Sequence, residues 1–175
     1  MSQNVGRTAL AFSRVWHHCD ASNRILGRMA CSIAMTLMGK HKPIFEQGND
    51  CGDYVVVTNC ANFTTTGRKQ KQKMYYSHST KPGSLKQILM SELIIKKGGG
   101  EVIRKAVSGM LPKNRLRQVR LARLKTFEDE AHPYRKNLVR WYEGLPDDIP
   151  IHPGIIRNFS SYVPLNSNIV EKYIT

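Results

Sequence analysis

Residues 25–38 carry their apolar side chains in two neighbouring ridges: Ile25, Met29, Ile33 and Leu37 beside Leu26, Ala30, Ala34 and Met38. Spacings of three and four put both ridges on one side of a helix, so this segment predicts an amphipathic helix laid on a core. Ser22 or Asn23 is placed to cap its start, and Gly39 to end it in the left-handed conformation. The pattern then changes. YVVVT at 54–58 is apolar on both faces, as in a strand buried within a parallel sheet, and 15–20 reads as an earlier strand before the helix. Two strands of one sheet joined through a helix imply a right-handed crossover.

The next segment, 64–73, is polar and basic and reads as a loop leading to a short strand over 74–78. Pro82 and Gly83 mark a turn, and Leu85, Ile88, Leu89 and Leu93 recur at helical spacing, predicting a helix over 84–97. Gly98, Gly99 and Gly100 read as a flexible break before a helix over 101–110, with Val102, Ile103, Ala106 and Val107 for burial. Pro112 separates that helix from the next, because the residue before proline avoids the helical region. Residues 113–125 predict a further helix with Leu116, Val119 and Leu124 as its apolar strip. Beyond it come the acidic Glu128, Asp129 and Glu130, read as a solvated turn, and a tail containing Trp141, Tyr142, Ile155, Ile156, Phe159 and Tyr162. Those anchors suit docking on the same domain or on a neighbouring protein.

Charge sharpens this picture. The chain has 175 residues and a net charge of +14, with 41% hydrophobic residues, enough for a folded domain. All of the excess sits in 68–125, where 16 Lys and Arg face two acids, Glu92 and Glu101, while the remainder is neutral. Such a block on a neutral scaffold is suited to a polyanion. In the predicted helix, Lys113, Arg115, Arg117, Arg120, Arg123 and Lys125 ring the axis at about 100° per residue and have no acid to pair with at i,i+4. A solvated helix with snorkelling stems is the blander reading. Phosphate is the better partner, since arginine grips it bidentately. The loop supplies Arg68, Lys69, Lys71 and Lys73, and Tyr75 and Tyr76 beside it can stack on unpaired bases, although one of them is equally suited to packing.

Enzymatic and metal chemistry find little purchase. Cys19, Cys31, Cys51 and Cys60 contain no C-x-x-C pair and read as reduced thiols. His17, His18 and Cys19 are adjacent, but on a strand His18 faces away from the other two, so no metal site is expected. Ile103 stands where a dinucleotide fingerprint needs its third glycine, and no G-x-x-x-x-G-K occurs. No catalytic residue and no cofactor are expected. No apolar run approaches the roughly 20 residues that span a bilayer. The first nineteen residues have no acid and hold Arg7 and Arg14, a faint likeness to a mitochondrial targeting segment.

Taken in order, WHHCDA at 16–21, LGRMA at 26–30, GKHK at 39–42, GDYVVV at 52–57, Thr66 and Gly67 with Lys73, YYSHS at 75–79, Pro82 and Gly83, AVSGMLPKN at 106–114, and His132 with Pro133 follow one pattern. It resembles the universal large-subunit ribosomal protein family numbered thirteen, across roughly residues 12–136, with GMLP the most specific element. The resemblance implies a three-layer α/β/α domain with a four-stranded parallel sheet, an N-terminal extension over 1–11 and a C-terminal extension over 137–175. It implies a structural protein of the large ribosomal subunit that helps fold the large rRNA, with rRNA and neighbouring ribosomal proteins as partners. The family's recurrent basic positions fall on Lys40, Lys42, Lys69, Lys73, Lys113 and the arginines after it, with His41 and His78 inside matched motifs. Glu128, Asp129 and Glu130 depart from the usual small, glycine-containing approach to His132. The long tail and basic N-terminus fit a mitochondrial, fungal member acting in the matrix, with a bacterial or plastid homologue as the alternative. A nucleotide-using, RNA-modifying enzyme and a duplex DNA binder are the competing classes, and no motif supports either.

Overall fold

The computed structural model describes residues 13–142. The chain runs β1 (Trp16–Asp20), α1 (Leu26–Met38), β2 (Tyr54–Thr58), α2 (Lys69–Gln72), β3 (Met74–Ser77), β4 (Lys86–Leu89), α3 (Met90–Lys97), α4 (Gly99–Met110), α5 (Leu116–Ala122), β5 (Leu124–Thr126) and β6 (Arg140–Tyr142), with 3-10 turns at Cys60–Asn62 and Arg135–Asn137. The architecture is mixed α/β, a parallel sheet accompanied by a separate antiparallel hairpin of β3 and β4. In the parallel sheet β1 pairs with β2, Trp16 opposite Tyr54 through Asp20 opposite Thr58. β5 joins the outer side of β2 with Val55 opposite Leu124, and β6 lies beside β1 with His17 opposite Arg140.

Period-2 alternation sorts the sheet's side chains into two environments. Cys19, Val55 and Val57 join the buried ridge of α1 and Val102, Ile103 and Val107 of α4 in one hydrophobic core. All of the ridge residues predicted on α1 are buried except Ile25, which is half-buried. The opposite face carries Trp16, His18 and Tyr54, and the segment after β5 covers it: Trp16 stacks on Tyr54 at 4.3 Å and on Tyr134 at 5.0 Å, and the His18 and His132 rings lie 5.8 Å apart.

Local signals misplaced several boundaries. α1 is capped at Ile25, without a side-chain cap, rather than at Ser22 or Asn23. Asn23 adopts a left-handed turn at φ +55°, and Ile25 forms an isolated bridge with Thr64, so pairing with the chain after β2 sets where this helix begins. Gly39 ends it as expected, at φ +84° with its amide on Met35 O. The basic loop contains one helical turn, α2. The helix expected over 84–97 divides into β4 and α3, because Gln87 and Ile88 are drawn into register with Tyr76 and Tyr75. The glycine run is no flexible break. α4 begins at Gly99, where a Cβ would stand 1.9 Å from Cys60 O, so only glycine permits the close approach. Finally, the basic helix spans Leu116–Ala122 alone, and Lys125 lies in β5. Leu121 is its buried apolar residue, Leu124 is buried in β5, and Val119 is 49% exposed.

The four cysteines are free thiols, with Cys31 exposed and the others buried. Burial pushes the Cys60 thiol up to about 12, which keeps it protonated and inert. Among the described residues no helix is long and apolar enough to cross a membrane.

Candidate nucleic-acid interface

The basic loop delivers its charges outward. Arg68, Lys69, Lys71 and Lys73 are all exposed on and around α2, a single turn that buries none of its own residues. Lys69 Nζ donates to Thr66 Oγ1 at 2.7 Å, and Lys73 Nζ sits 5.7 Å from the centre of the Tyr75 ring. The strand that follows separates the two tyrosines. Tyr75, opposite Ile88, packs against the edge of the core, and burial raises its phenol above the ordinary value. Tyr76 points away and is 65% exposed, where an unpaired base can reach its ring. His78 is exposed just beyond the strand.

The second basic segment does not behave as a ring of charge. Lys113 and Arg115 are exposed at its start, and Lys125 is half-buried in β5. Arg117, also half-buried, donates through Nη2 to the carbonyl and hydroxyl oxygens of Ser108. Arg120 and Arg123, expected to face RNA, are 2% and 3% exposed. Arg123 lays both guanidinium ends on Asp50 at 2.5 Å, and Arg120 Nε is 3.9 Å from the same carboxylate, a charge contact rather than a hydrogen bond. The Arg123 hydrogen bonds, helped by the charges of Arg123, Arg14 and Arg120, hold the Asp50 carboxyl below its ordinary range despite its partial burial. Spaced three apart, the two arginines share the helix side that meets the loop before β2, so they satisfy an internal anion.

The GKHK motif divides similarly. Lys40 is exposed, its Nζ 6.0 Å from the Phe45 ring centre. His41 Nε2 and His17 Nε2 each lie 2.9 Å from Asp53 Oδ2, and Lys42 Nζ bonds Asp53 Oδ1 and the Ser13 carbonyl. Burial of Asp53 would raise its pKa, but hydrogen bonds from His17, Lys42 and the Val15 amide outweigh it and hold the carboxyl well below the usual range. His41 is shifted down, burial being opposed only in part by Asp53. The His17, His41 and Asp53 ligand atoms lie within 4.8 Å of one another. Three donors of that kind can hold a metal ion, but here the Lys42 ammonium already neutralises the carboxylate, and the spacings are those of hydrogen bonds. His18 faces away to Thr58 Oγ1 at 3.0 Å, as strand alternation requires.

Sequence reading missed three carboxylates that organise the site. Asp50 and Asp53 are the partners of cations many residues away, and Glu128 accepts from the amides of Gly99 and Gly100 at 3.0 and 2.9 Å. Glu128 therefore fills the amide cradle at the start of α4 with the chain's own anion. Nothing in their sequence surroundings marks these acids, because their partners are visible only after folding.

With this geometry in place, the comparisons with other proteins decide the family. The sequence pattern of Ribosomal protein L13 matches residues 14–133. The chain belongs to that family. It is 60% identical over 158 residues to the large ribosomal subunit protein uL13m of Neurospora crassa, covering 81% of this chain and 86% of that one. It is 50% identical over 142 residues to uL13m of Schizosaccharomyces pombe, covering 81% and 90%. A bacterial L13 family member, uL13 of Geobacter sp. strain M21, is 47% identical over 122 residues, or 70% of this chain and 85% of its own. The fungal uL13m proteins, at 60% and 50% identity, match this chain more closely than that bacterial relative does at 47%.

Proposed function

We propose that this chain is a structural constituent of the large subunit of the mitochondrial ribosome, in the matrix, where it binds large-subunit rRNA and helps it fold during assembly. It works as a ribosomal component rather than as an enzyme, as the L13 family does. Identity of 60% and 50% to two fungal uL13m proteins carries the mitochondrial assignment. The RNA surface we assign is Arg68, Lys69, Lys71, Lys73, Tyr76 and His78, with Lys40, Lys113 and Arg115, all exposed. Tyr75 and Lys125 lie at its half-buried margin. Exposed His41 and half-buried Lys42 and Arg117 flank this surface, held in place through Asp53 and Ser108. Our finer reading of the fold is a three-layer domain over 12–136 whose parallel sheet gains a fourth strand from beyond that range, supported by the pairing of Arg140–Tyr142 with β1. That pairing makes the start of the C-terminal extension part of the sheet. The remaining tail anchors, and residues 1–12, lie outside the described residues; we assign the tail to contacts with neighbouring large-subunit proteins.

Sedimentation of the tagged protein in mitochondrial extract tests the assignment. Co-migration with large subunits, lost when magnesium is removed and the subunits come apart, is the expected result. Migration as a free small protein under conditions that keep the subunits intact overturns it.

A further inference from the structure

A cavity of about 350 Å³ opens where the first turn of α1, the turn of α2 and the last turn of α4 face one another. Its rim carries Lys69, Lys73 and Lys105, and its wall includes the half-buried Tyr75 ring. Met90 and Leu26, both buried, form an apolar floor, and exposed Met110 stands at the edge. The lysines are only lightly engaged within the chain. Lys105 has a loose 3.8 Å pair with Glu101, Lys69 meets the Thr66 hydroxyl, and Lys73 lies over Tyr75.

Two other lining residues are glycines within helices, Gly27 in α1 and Gly109 in α4. Glycine weakens a helix relative to alanine, so its presence calls for a reason. Neither residue has a positive φ, and a Cβ at either would meet nothing within 4 Å. No internal contact therefore demands glycine at these positions. What they preserve is open space at the mouth of a cationic, partly aromatic pocket.

We propose that this cavity receives a single unstacked nucleotide of the rRNA, its base against Tyr75 and Met110 and its phosphate among Lys69, Lys73 and Lys105. An apolar floor beneath a cationic rim matches a base joined to a phosphate, and a pocket of this volume encloses one such unit. The inference rests on the RNA-binding reading above and adds a specific subsite, with Lys105, Gly27 and Gly109 as parts of it. Lys105 thus joins the interface although it lies in a helix whose other face is core.

The test uses the full chain and a transcript of the mitochondrial large-subunit rRNA. Gly27→Leu and Gly109→Leu are expected to fold with unchanged or raised Tm, since each favours its helix. They are expected to lose roughly tenfold in affinity, the worth of one stacked base, with an unchanged salt slope. Gly109→Ala, a smaller filler, should give an intermediate loss and serves if a leucine variant fails to fold. Synthetic RNA spanning the wild-type footprint, carrying single abasic nucleotides, then locates the guest. One abasic position should weaken the wild type by the same factor and have no further effect on Gly109→Leu. Filled variants that bind like the wild type, or abasic penalties that all persist in them, overturn the pocket while leaving the wider RNA surface standing. A wild type with no salt-dependent rRNA binding overturns both.

Discussion

Arg123 places both ends of its guanidinium on the carboxylate of Asp50, a residue 73 positions earlier in the chain. The pair is a bidentate fork whose arginine is only 3% exposed, while the Asp50 side chain keeps 17%. The densest run of positive charge in the sequence is therefore partly spent on internal neutralisation. Asp50→Asn should leave Arg123 and Arg120 buried without their counter-charge and cost about 3–5 kcal/mol, read as a lower urea midpoint at constant m. An unchanged midpoint would show that the arginines escape to water.

The same geometry redirects charge-reversal experiments. Arg120→Glu with Arg123→Glu should abolish rRNA binding by unfolding the domain, visible in far-UV circular dichroism before any RNA is added. Lys69→Glu, Lys71→Glu and Lys73→Glu should instead change stability by no more than about 0.5 kcal/mol, as exposed sites do. Their effect should appear in affinity, with the log–log salt slope falling by about 0.7–0.9 for each phosphate that is no longer neutralised. Retention of the full slope in the triple variant would remove α2 from the interface.

Acid should act on the Asp50 and Asp53 clusters in two stages. His41 is shifted below its ordinary 6.5, so the unfolded chain takes up its proton first; stability is fully present above 6.5 and declines as pH falls through the lowered value. Asp50 and Asp53 are also shifted down, from 3.8, so their contribution is present above that value and is lost as the pH drops further towards their folded values. Urea midpoints measured between pH 8 and 3 should fall gently and then steeply. Asp53→Asn should lower the plateau and reduce the steep phase, and a parallel, merely displaced curve would speak against the network.

Glu128 bonds the first amides of α4, where its charge also favours the positive end of the helix dipole. Glu128→Gln keeps an acceptor but drops the charge and one carboxylate oxygen, and should cost about 0.5–1 kcal/mol. Thermal unfolding at low and high salt checks this, the difference narrowing as salt screens the dipole. A neutral effect at low salt would mean that solvent caps the helix equally well.

The parts of the fold that could be read along the chain are those whose cause is local. The ridges of α1, the doubly apolar β2 and the left-handed Gly39 each follow from side chains within one or two turns of the residue concerned. So does the split between His17 and His18, which alternation alone demands. The errors share another cause. Leu85 to Leu93 have helical spacing, yet half of that stretch pairs as β4 because Tyr75 and Tyr76 offer strand partners. The 113–125 segment shortens because Leu124 is needed beside Val55 in the sheet.

For the candidate interface, residue order and type were enough to establish the family, the mitochondrial relatives and the presence of a basic block with tyrosines. Which cations are available was settled by folding. Arg68, Lys69, Lys71 and Lys73 sit on a turn with no core to join and remain in water. Arg120, Arg123 and Lys42 meet carboxylates brought from other segments and are withdrawn from the surface. A cation's charge is written in its side chain, but its freedom to meet phosphate depends on whether folding has supplied an anion nearer than the RNA.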